Sequence, residues 1–215
     1  MPARNEEASV GATVRALRSL AVTEVVVVDD ASEDATAAAA LAAGATVLRI
    51  PRHTGKGRAM EGALRRLPDA EVWLFADADL GGSAAGLGAL LEACADGADL
   101  AIAVLPPQGR GGLGIVRRFA AWAIRWLGGI STTAPLSGQR AIKRRCLGTV
   151  RPLAGGFGIE TAMTIDASRA GFRVREVSVP GLTHRPTGRG VRGFVHRGRQ
   201  GVQIAGAVLA RWRRR

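Results

Sequence analysis

The chain has 215 residues, a formal net charge of +12 and an apolar fraction of 47%, which is enough material for one sizeable core. No apolar run reaches the roughly 18 residues that a membrane-spanning helix needs, and the first residues, MPARNEEASV, lack the apolar stretch of a signal peptide. A cytoplasmic globular protein is therefore expected, and Cys94 and Cys146, in separate segments without metal-ligand spacing, suit two half-buried thiols in a reducing compartment better than a disulfide.

The segment PARNEE reads as a loop and helix start that should follow a strand, yet only Met1 precedes Pro2. The first strand is thus expected to be missing, with either a differently capped sheet or a recorded start downstream of the true one. Asn5-Glu6-Glu7 opens a predicted helix through Leu20, with acids favourably placed in its first turn. Four short apolar runs follow, TEVVVV (23–28), ATVLRI (45–50), EVWLFA (71–76) and ADLAIAV (98–104). They are Val- and Ala-rich and do not alternate, as expected of strands covered on both faces. The stretches between them read as crossover helices, one capped by Ser32 or Asp34 and running to Ala43, another capped by Ser83 and running to Ala95. The pattern is α/β, a mostly parallel sheet flanked by helices, and such sheets bind ligands at the carboxyl ends of their strands.

The second half is less regular. A tryptophan-bearing helix is predicted over 113–127, a short strand near SGQRAIKR, a helix over 159–170 stopped by Gly171, and a strand in FRVREVSV. After Arg169 there is a single acid, Glu176, among many arginines, and only Lys56 and Lys143 in the whole chain are lysines. Arginine makes planar, bidentate contacts to phosphate, so phosphorylated substrates and acidic lipid headgroups are candidate partners. Nucleic acid is the weakest candidate, because no recognition motif accompanies the charge. Residues 1–185 are expected to form one domain and 186–215 a basic extension with an amphipathic helix, in which Val202, Ala205, Val208, Leu209 and Trp212 recur at three- and four-residue steps. That helix is expected to lie on the body or on a membrane surface.

Several loops can carry chemistry. Asp77 and Asp79, flanking Ala78 at the mouth of a buried strand, can present oxygens to a hard cation such as Mg2+ or Mn2+. A solvated turn with a helix cap is the structural alternative. Asp29 and Asp30 end another strand and can accept bonds from a base or a ribose. In HTGKG, the glycines Gly55 and Gly57 flank Lys56, so the backbone can approach a ligand while the ammonium meets a phosphate or base. The spacing is not that of a P-loop, and a literal G-x-G-x-x-G at Gly109, Gly111 and Gly114 follows no strand and reads as a mobile loop. Glu160 opens a helix after a glycine-rich turn, so its carboxylate can project as a general base for a hydroxyl acceptor. Helix-terminus charge complementarity is the alternative.

In order and interval, PARNEE, VVVVDDASEDAT, GKGRAM and FADADL resemble the nucleotide-sugar-binding half of the family 2 inverting glycosyltransferases, which have the GT-A (nucleotide-diphospho-sugar transferase) fold. PLSGQRAIKR, GFGIETAMTID and VSVPGLTHR resemble the branch with glucosyl-3-phosphoglycerate synthases and polyprenyl-phosphate glycosyltransferases. The resemblance implies a hexosyl transfer from a nucleoside diphosphate sugar to a phosphorylated acceptor, either a 3-phosphoglycerate-like acid or a polyprenyl phosphate. It implies that Pro2, Ala3, Arg4, Glu6, Asp29 and Asp30 hold the nucleoside and that Gly55, Lys56 and Gly57 close over it. Asp79 would ligate Mn2+ or Mg2+ directly, Asp77 would contact the ribose or a metal-bound water beside Ala78, and His184 would be a further ligand. Ser137, Gly138, Gln139 and Arg140 would form the acceptor side, with Arg185, Arg189 and Arg192 adding positive charge. A polyprenyl-phosphate acceptor would bring peripheral association with an anionic membrane. The competing readings are a sugar-phosphate nucleotidyltransferase, whose usual basic glycine-rich first loop is not visible at PARNEE, and a non-catalytic basic module.

Overall fold

The computed structural model describes residues 1–105, 114–183 and 191–213, the side chains of Phe157 and of residues 191–200 excepted. The chain begins with a two-residue strand β1 (Pro2–Ala3), followed by α1 (Glu7–Arg18), β2 (Val26–Asp30), α2 (Thr36–Ala42), β3 (Thr46–Ile50) and α3 (Lys56–Leu64). Strands β1, β2 and β3 pair in parallel in that order, with Pro2 opposite Val28 and Ala3 opposite Asp29. The first strand is thus reduced to a two-residue stub. Beyond it, a cavity of about 570 Å3, lined by Met1, Val28, Met60, Leu64 and Leu74 among others, separates β2 from the next sheet.

That sheet has the order β4-β6-β5-β7, formed by β4 (Val72–Phe75), β5 (Leu100–Val104), β6 (Arg140–Lys143) and β7 (Val174–Ser178). Strand β6 runs antiparallel to both β4 and β5, while β5 and β7 are parallel. A 3-10 turn over Gly81–Leu87 leads into α4 (Gly88–Ala95). The helices α5 (Gly114–Gly128), α6 (Arg144–Val150), α7 (Ile159–Arg169) and α8 (Val191–Trp212) complete the described elements. Ser83 does not cap a helix; it lies within the 3-10 turn, where its hydroxyl donates to the Leu80 carbonyl at 2.6 Å. Asp34 does act at the start of α2, accepting the Thr36 amide at 3.0 Å.

Period-2 alternation sends the sheet residues to two cores. Ala101, Ala103 and Ala141 join Val10, Val14 and Leu17 of α1 and Leu87 and Leu90 on one side. Phe75, Leu100, Ile102 and Ile142 join Cys146, Ile159 and Met163 on the other. Both cysteines are fully buried rather than half-buried, and both are free. Burial pushes the Cys146 thiol up to about 12 and raises that of Cys94, which leaves neither a nucleophile at neutral pH.

The C-terminal helix is part of the body. Ile204 and Val208 of α8 pack with Ala120, Ile124 and Leu127 of α5 and Ile165 of α7. Arg211, at the same stripe, is 8% exposed and pairs with Asp166 of α7 at 2.5 Å. Val202, Leu209 and Trp212 point outward. Among the described residues, no helix is long and apolar enough to cross a membrane.

Candidate active site

The carboxyl ends of β2 and β4 and the start of α3 converge as expected of a sheet of this kind. Lys56 occupies the first position of α3, where the helix dipole disfavours a cation. Its ammonium is held there by two carboxylates, Asp77 Oδ1 and Glu160 Oε1, each at 2.8 Å. The second oxygen of Asp77 accepts the Gln139 side-chain amide at 2.7 Å. Burial alone would pull the Lys56 ammonium down, but Asp77 and Glu160 outweigh it and raise its pKa above the ordinary lysine value. Lys56, Asp77, Gln139 and Glu160 thus form one hydrogen-bonded cluster drawn from four separate parts of the chain.

Glycines allow this approach. A Cβ at Gly138 would lie 2.5 Å from Lys56 Nζ and 2.7 Å from Asp77 Oδ2. One at Gly57 would collide with the Ala154 carbonyl oxygen, so the first turn of α3 lies directly on the loop leading to Glu160. Gly55 has φ of +84°, a conformation other residues adopt only with strain. The glycines before Glu160 have a different use from the one expected. A Cβ at Gly158 would lie 2.6 Å from Ala207 Cβ and 2.9 Å from the Gln203 carbonyl oxygen, so this turn admits α8 at close range. Glu160 itself is 6% exposed and paired with Lys56, instead of projecting as an unengaged base.

Asp29 and Asp30 are buried at the end of β2 and are used within the protein. Asp30 accepts the Thr54 amide (2.8 Å) and hydroxyl (3.0 Å), the Gly55 amide (2.8 Å) and His53 Nδ1 (2.8 Å). Burial raises its pKa, but these bonds outweigh that and hold it below the ordinary carboxylate value. Asp29 accepts the Ser32 amide at 3.0 Å and Arg49 Nε at 3.3 Å. These acids fasten the HTGKG loop and the turn after β2. Pro2 and Ala3 form β1 beside them, Arg4 is exposed, and the Glu6 amide donates to the Thr36 hydroxyl at 2.8 Å.

The turn carrying Asp77 and Asp79 is pinned by a residue that the sequence reading missed. Thr13 of α1 donates its hydroxyl to the Ala78 carbonyl at 2.9 Å and accepts the Gly81 amide at 2.8 Å. A threonine among the buried positions of an amphipathic helix was the available signal, since a buried hydroxyl requires a partner. The paired aspartates supply hard oxygen donors, which fits a divalent cation completed by substrate phosphates and water. Among the described residues, no group of three His, Cys, Asp or Glu forms a complete cage.

Ser137 and Gln139 lie beside this cluster, with Ser137 Oγ 3.3 Å from Gln139 Oε1. Arg140 departs from the expected acceptor-facing position. It is 1% exposed, and Nε donates to the Ser137 carbonyl (2.8 Å) and Nη1 to Thr164 Oγ1 (2.9 Å) of α7, the helix that also carries Glu160. Burial pulls its pKa down to about 10, with Glu160 and Glu176 opposing the shift. Period-2 alternation explains why Gln139 and Arg140 part company. His184, Arg185, Arg189 and the Gly109–Gly111 part of the glycine loop lie outside the described residues, as does the side chain of Arg192.

Residues 1–152 match the family model described as Glycosyl transferase family 2. Glycosyltransferase AglJ of Haloferax volcanii is 27% identical over 185 residues, covering 82% of this chain and 59% of the relative. The chain therefore spans about three fifths of that curated relative's length. Glucosyl-3-phosphoglycerate synthase of Mycobacterium tuberculosis in complex with Mg2+ and uridine diphosphate superposes with a TM-score of 0.80 at 27% identity, covering 98% of this chain and 76% of that one. The same protein with Mn2+, UDP-glucose and phosphoglyceric acid gives 0.79 at 27% identity, covering 98% and 77%.

Proposed function

The chain belongs to glycosyl transferase family 2, and from that premise we propose that it is a glycosyltransferase that transfers a hexose, with inversion, from a nucleoside diphosphate sugar to a phosphorylated acceptor. The observation that carries this reading is the cluster of Lys56, Asp77, Gln139 and Glu160 beside the Asp77–Asp79 turn. A donor diphosphate brings negative charge to the end of β4, and Lys56 is the cation positioned there. Mn2+ or Mg2+, held by Asp79 with Asp77 beside it and His184 as a further ligand, would offset the charge of the departing diphosphate. The acceptor oxygen attacks the anomeric carbon as the bond to the diphosphate breaks, and the diphosphate leaves with the electron pair.

The acceptor decides what Glu160 does. A phosphoglycerate-like acid, supported by the likeness to a synthase bound to phosphoglyceric acid, is glycosylated on a hydroxyl and gives Glu160 a proton to accept. A polyprenyl phosphate attacks through an oxygen that is already ionised, and a Glu160 held by Lys56 suits that case. The test is incubation with UDP-glucose and related donors, with Mn2+ or Mg2+, against each acceptor. Released nucleoside diphosphate with glycosylated acceptor is the expected result; pyrophosphate chemistry, or no turnover of any donor, would overturn the reading. Glu160→Gln is expected to cost a hydroxyl acceptor about 100-fold in kcat and an ionised phosphate acceptor much less. Asp79→Ala is expected to abolish metal-dependent donor binding in calorimetry while leaving the thermal melt unchanged.

A further inference from the structure

Helices α5 and α8 expose an aromatic ladder that the transfer chemistry does not use. Phe119 stacks on Trp122 at 5.9 Å between ring centroids, Trp122 on Trp126 at 5.2 Å, and Trp126 meets Trp212 of α8 at 6.3 Å. The three indoles are 52%, 41% and 51% exposed, and Ile115 of α5 and Val202 of α8 are 83% and 74% exposed. Phe119 packs partly against the core that Ala120, Ile124, Ile204 and Val208 of the same helices fill, but the three outward indoles are not among the residues closing it. Leaving several large apolar side chains together in water is costly, and a contiguous patch of this kind marks an interaction surface.

The surrounding charge identifies the partner. Neither α5 nor α8 contains an acidic residue, and Arg118 and Arg125 stand exposed on α5, four residues before and three after Trp122 and so flanking the rings, with Arg213 exposed just past α8. We infer that this face docks on the interface of an anionic lipid bilayer, with the indoles at headgroup level and the arginines against lipid phosphates. Tryptophan's apolar body and polar N–H suit that boundary, and arginine can bury its stem while its guanidinium meets phosphate. A second copy of the chain is a poor occupant, because a two-fold contact would set arginines against arginines. Nucleic acid fits less well, because the rings stack on one another and Ile115 and Val202 offer nothing to a base or a phosphate. The helices lie in the surface and do not span it.

The experiment is co-sedimentation of the intact protein with phosphatidylcholine vesicles, with and without about one third phosphatidylglycerol, at roughly 0.1 M and 1 M salt. Binding to the anionic vesicles at low salt, lost at high salt and accompanied by a blue shift of indole fluorescence, is expected. Trp122→Ser with Trp126→Ser should weaken it roughly ten-fold or more, and Arg118→Gln with Arg125→Gln should weaken it without altering the fluorescence of the free protein. Both pairs are exposed, and a thermal melt checks that each variant folds; either one suffices. Equal binding to neutral and anionic vesicles, binding indifferent to both pairs, or absent binding would overturn the proposal. So would a tryptophan-dependent dimer in light scattering, or retention on nucleic acid, without vesicle binding. Because the readout is binding, a failure here leaves the glycosyl-transfer reading untouched.

Discussion

Gly138 bears directly on the polar cluster although it contributes no polar side chain to it. A methyl group there would press on Lys56 Nζ and Asp77 Oδ2, at 2.5 and 2.7 Å. Both are the ends of side chains, so the fold can absorb the intrusion while the ion pair is displaced. Displacement of about 1 Å near reacting groups costs up to 100-fold in rate, so Gly138→Ala is expected to lower kcat ten- to 100-fold with little change in melting temperature. Steady-state kinetics beside a thermal melt checks this, and an unchanged kcat would mean that the Lys56–Asp77 contact is not used in turnover. Lys56→Met is the harsher change, because it leaves Glu160, with a side chain only 8% exposed, buried without its counter-ion. Losing one partner of a buried pair costs about 3–5 kcal/mol, so activity and stability should fall together.

At the scale of elements, the decisive contact is α8 on α7. Arg211 donates Nε to both Asp166 oxygens, at 3.0 and 2.9 Å, and Nη2 to Oδ2 at 2.5 Å. Arg169 Nη1 donates to the Arg211 carbonyl at 2.9 Å. With the Arg211 side chain only 10% exposed, Asp166→Ala strands a buried guanidinium. The expected loss is about 3 kcal/mol or more, which in a chain of this size lowers the melting temperature by roughly 6–12 °C. Restoring much of that loss in the double variant Asp166→Ala, Arg211→Met would assign it to the stranded charge; no recovery would assign it to packing. Because α8 also lies against Gly156 and Gly158, just before Glu160, loosening it is expected to reduce kcat as well.

For the whole molecule, Asp30, Glu61, Asp99 and Glu176 each join remote segments, and each titrates below its ordinary value. Burial raises each, and hydrogen bonds outweigh it: Thr54 and Gly55 at Asp30, Arg151 and Leu153 at Glu61, Arg173 and Arg145 at Asp99, and Thr132 to Ala134 at Glu176. A carboxylate whose folded pKa is depressed contributes stability that is complete above its unfolded pKa of about 4 and is lost as pH falls through the folded value. Melting temperature should therefore hold between about pH 6 and 5 and fall steeply below about 4. A melt that stays level to about pH 3 would contradict this linkage. All regions should loosen together, because these acids tie β2 to the loop before α3, α3 to the loop after α6, β5 to β7 and α6, and β7 to the loop after α5.

Strand and helix types followed from local pattern. Val- and Ala-rich runs marked β2, β3, β4 and β5 to within a few residues, and Gly171, with φ of +78°, stops α7 as read. The carboxylates at the ends of β2 and β4 were visible too, because strand ends and acidic pairs are adjacent along the chain. The antiparallel setting of β6, the reversal that turns Arg140 into the core, and the use of Asp30 as a loop fastener were not. The same holds for the clasp of Lys56 by Glu160 and the docking of α8 on the glycine turn. Each of these depends on which distant segments meet, and a charge or a glycine carries no mark of a partner outside its own turn or strand. Periodicity encodes which face of an element is apolar. Only the packed fold decides which ion finds which counter-ion, because burial makes that pairing obligatory once the segments have come together.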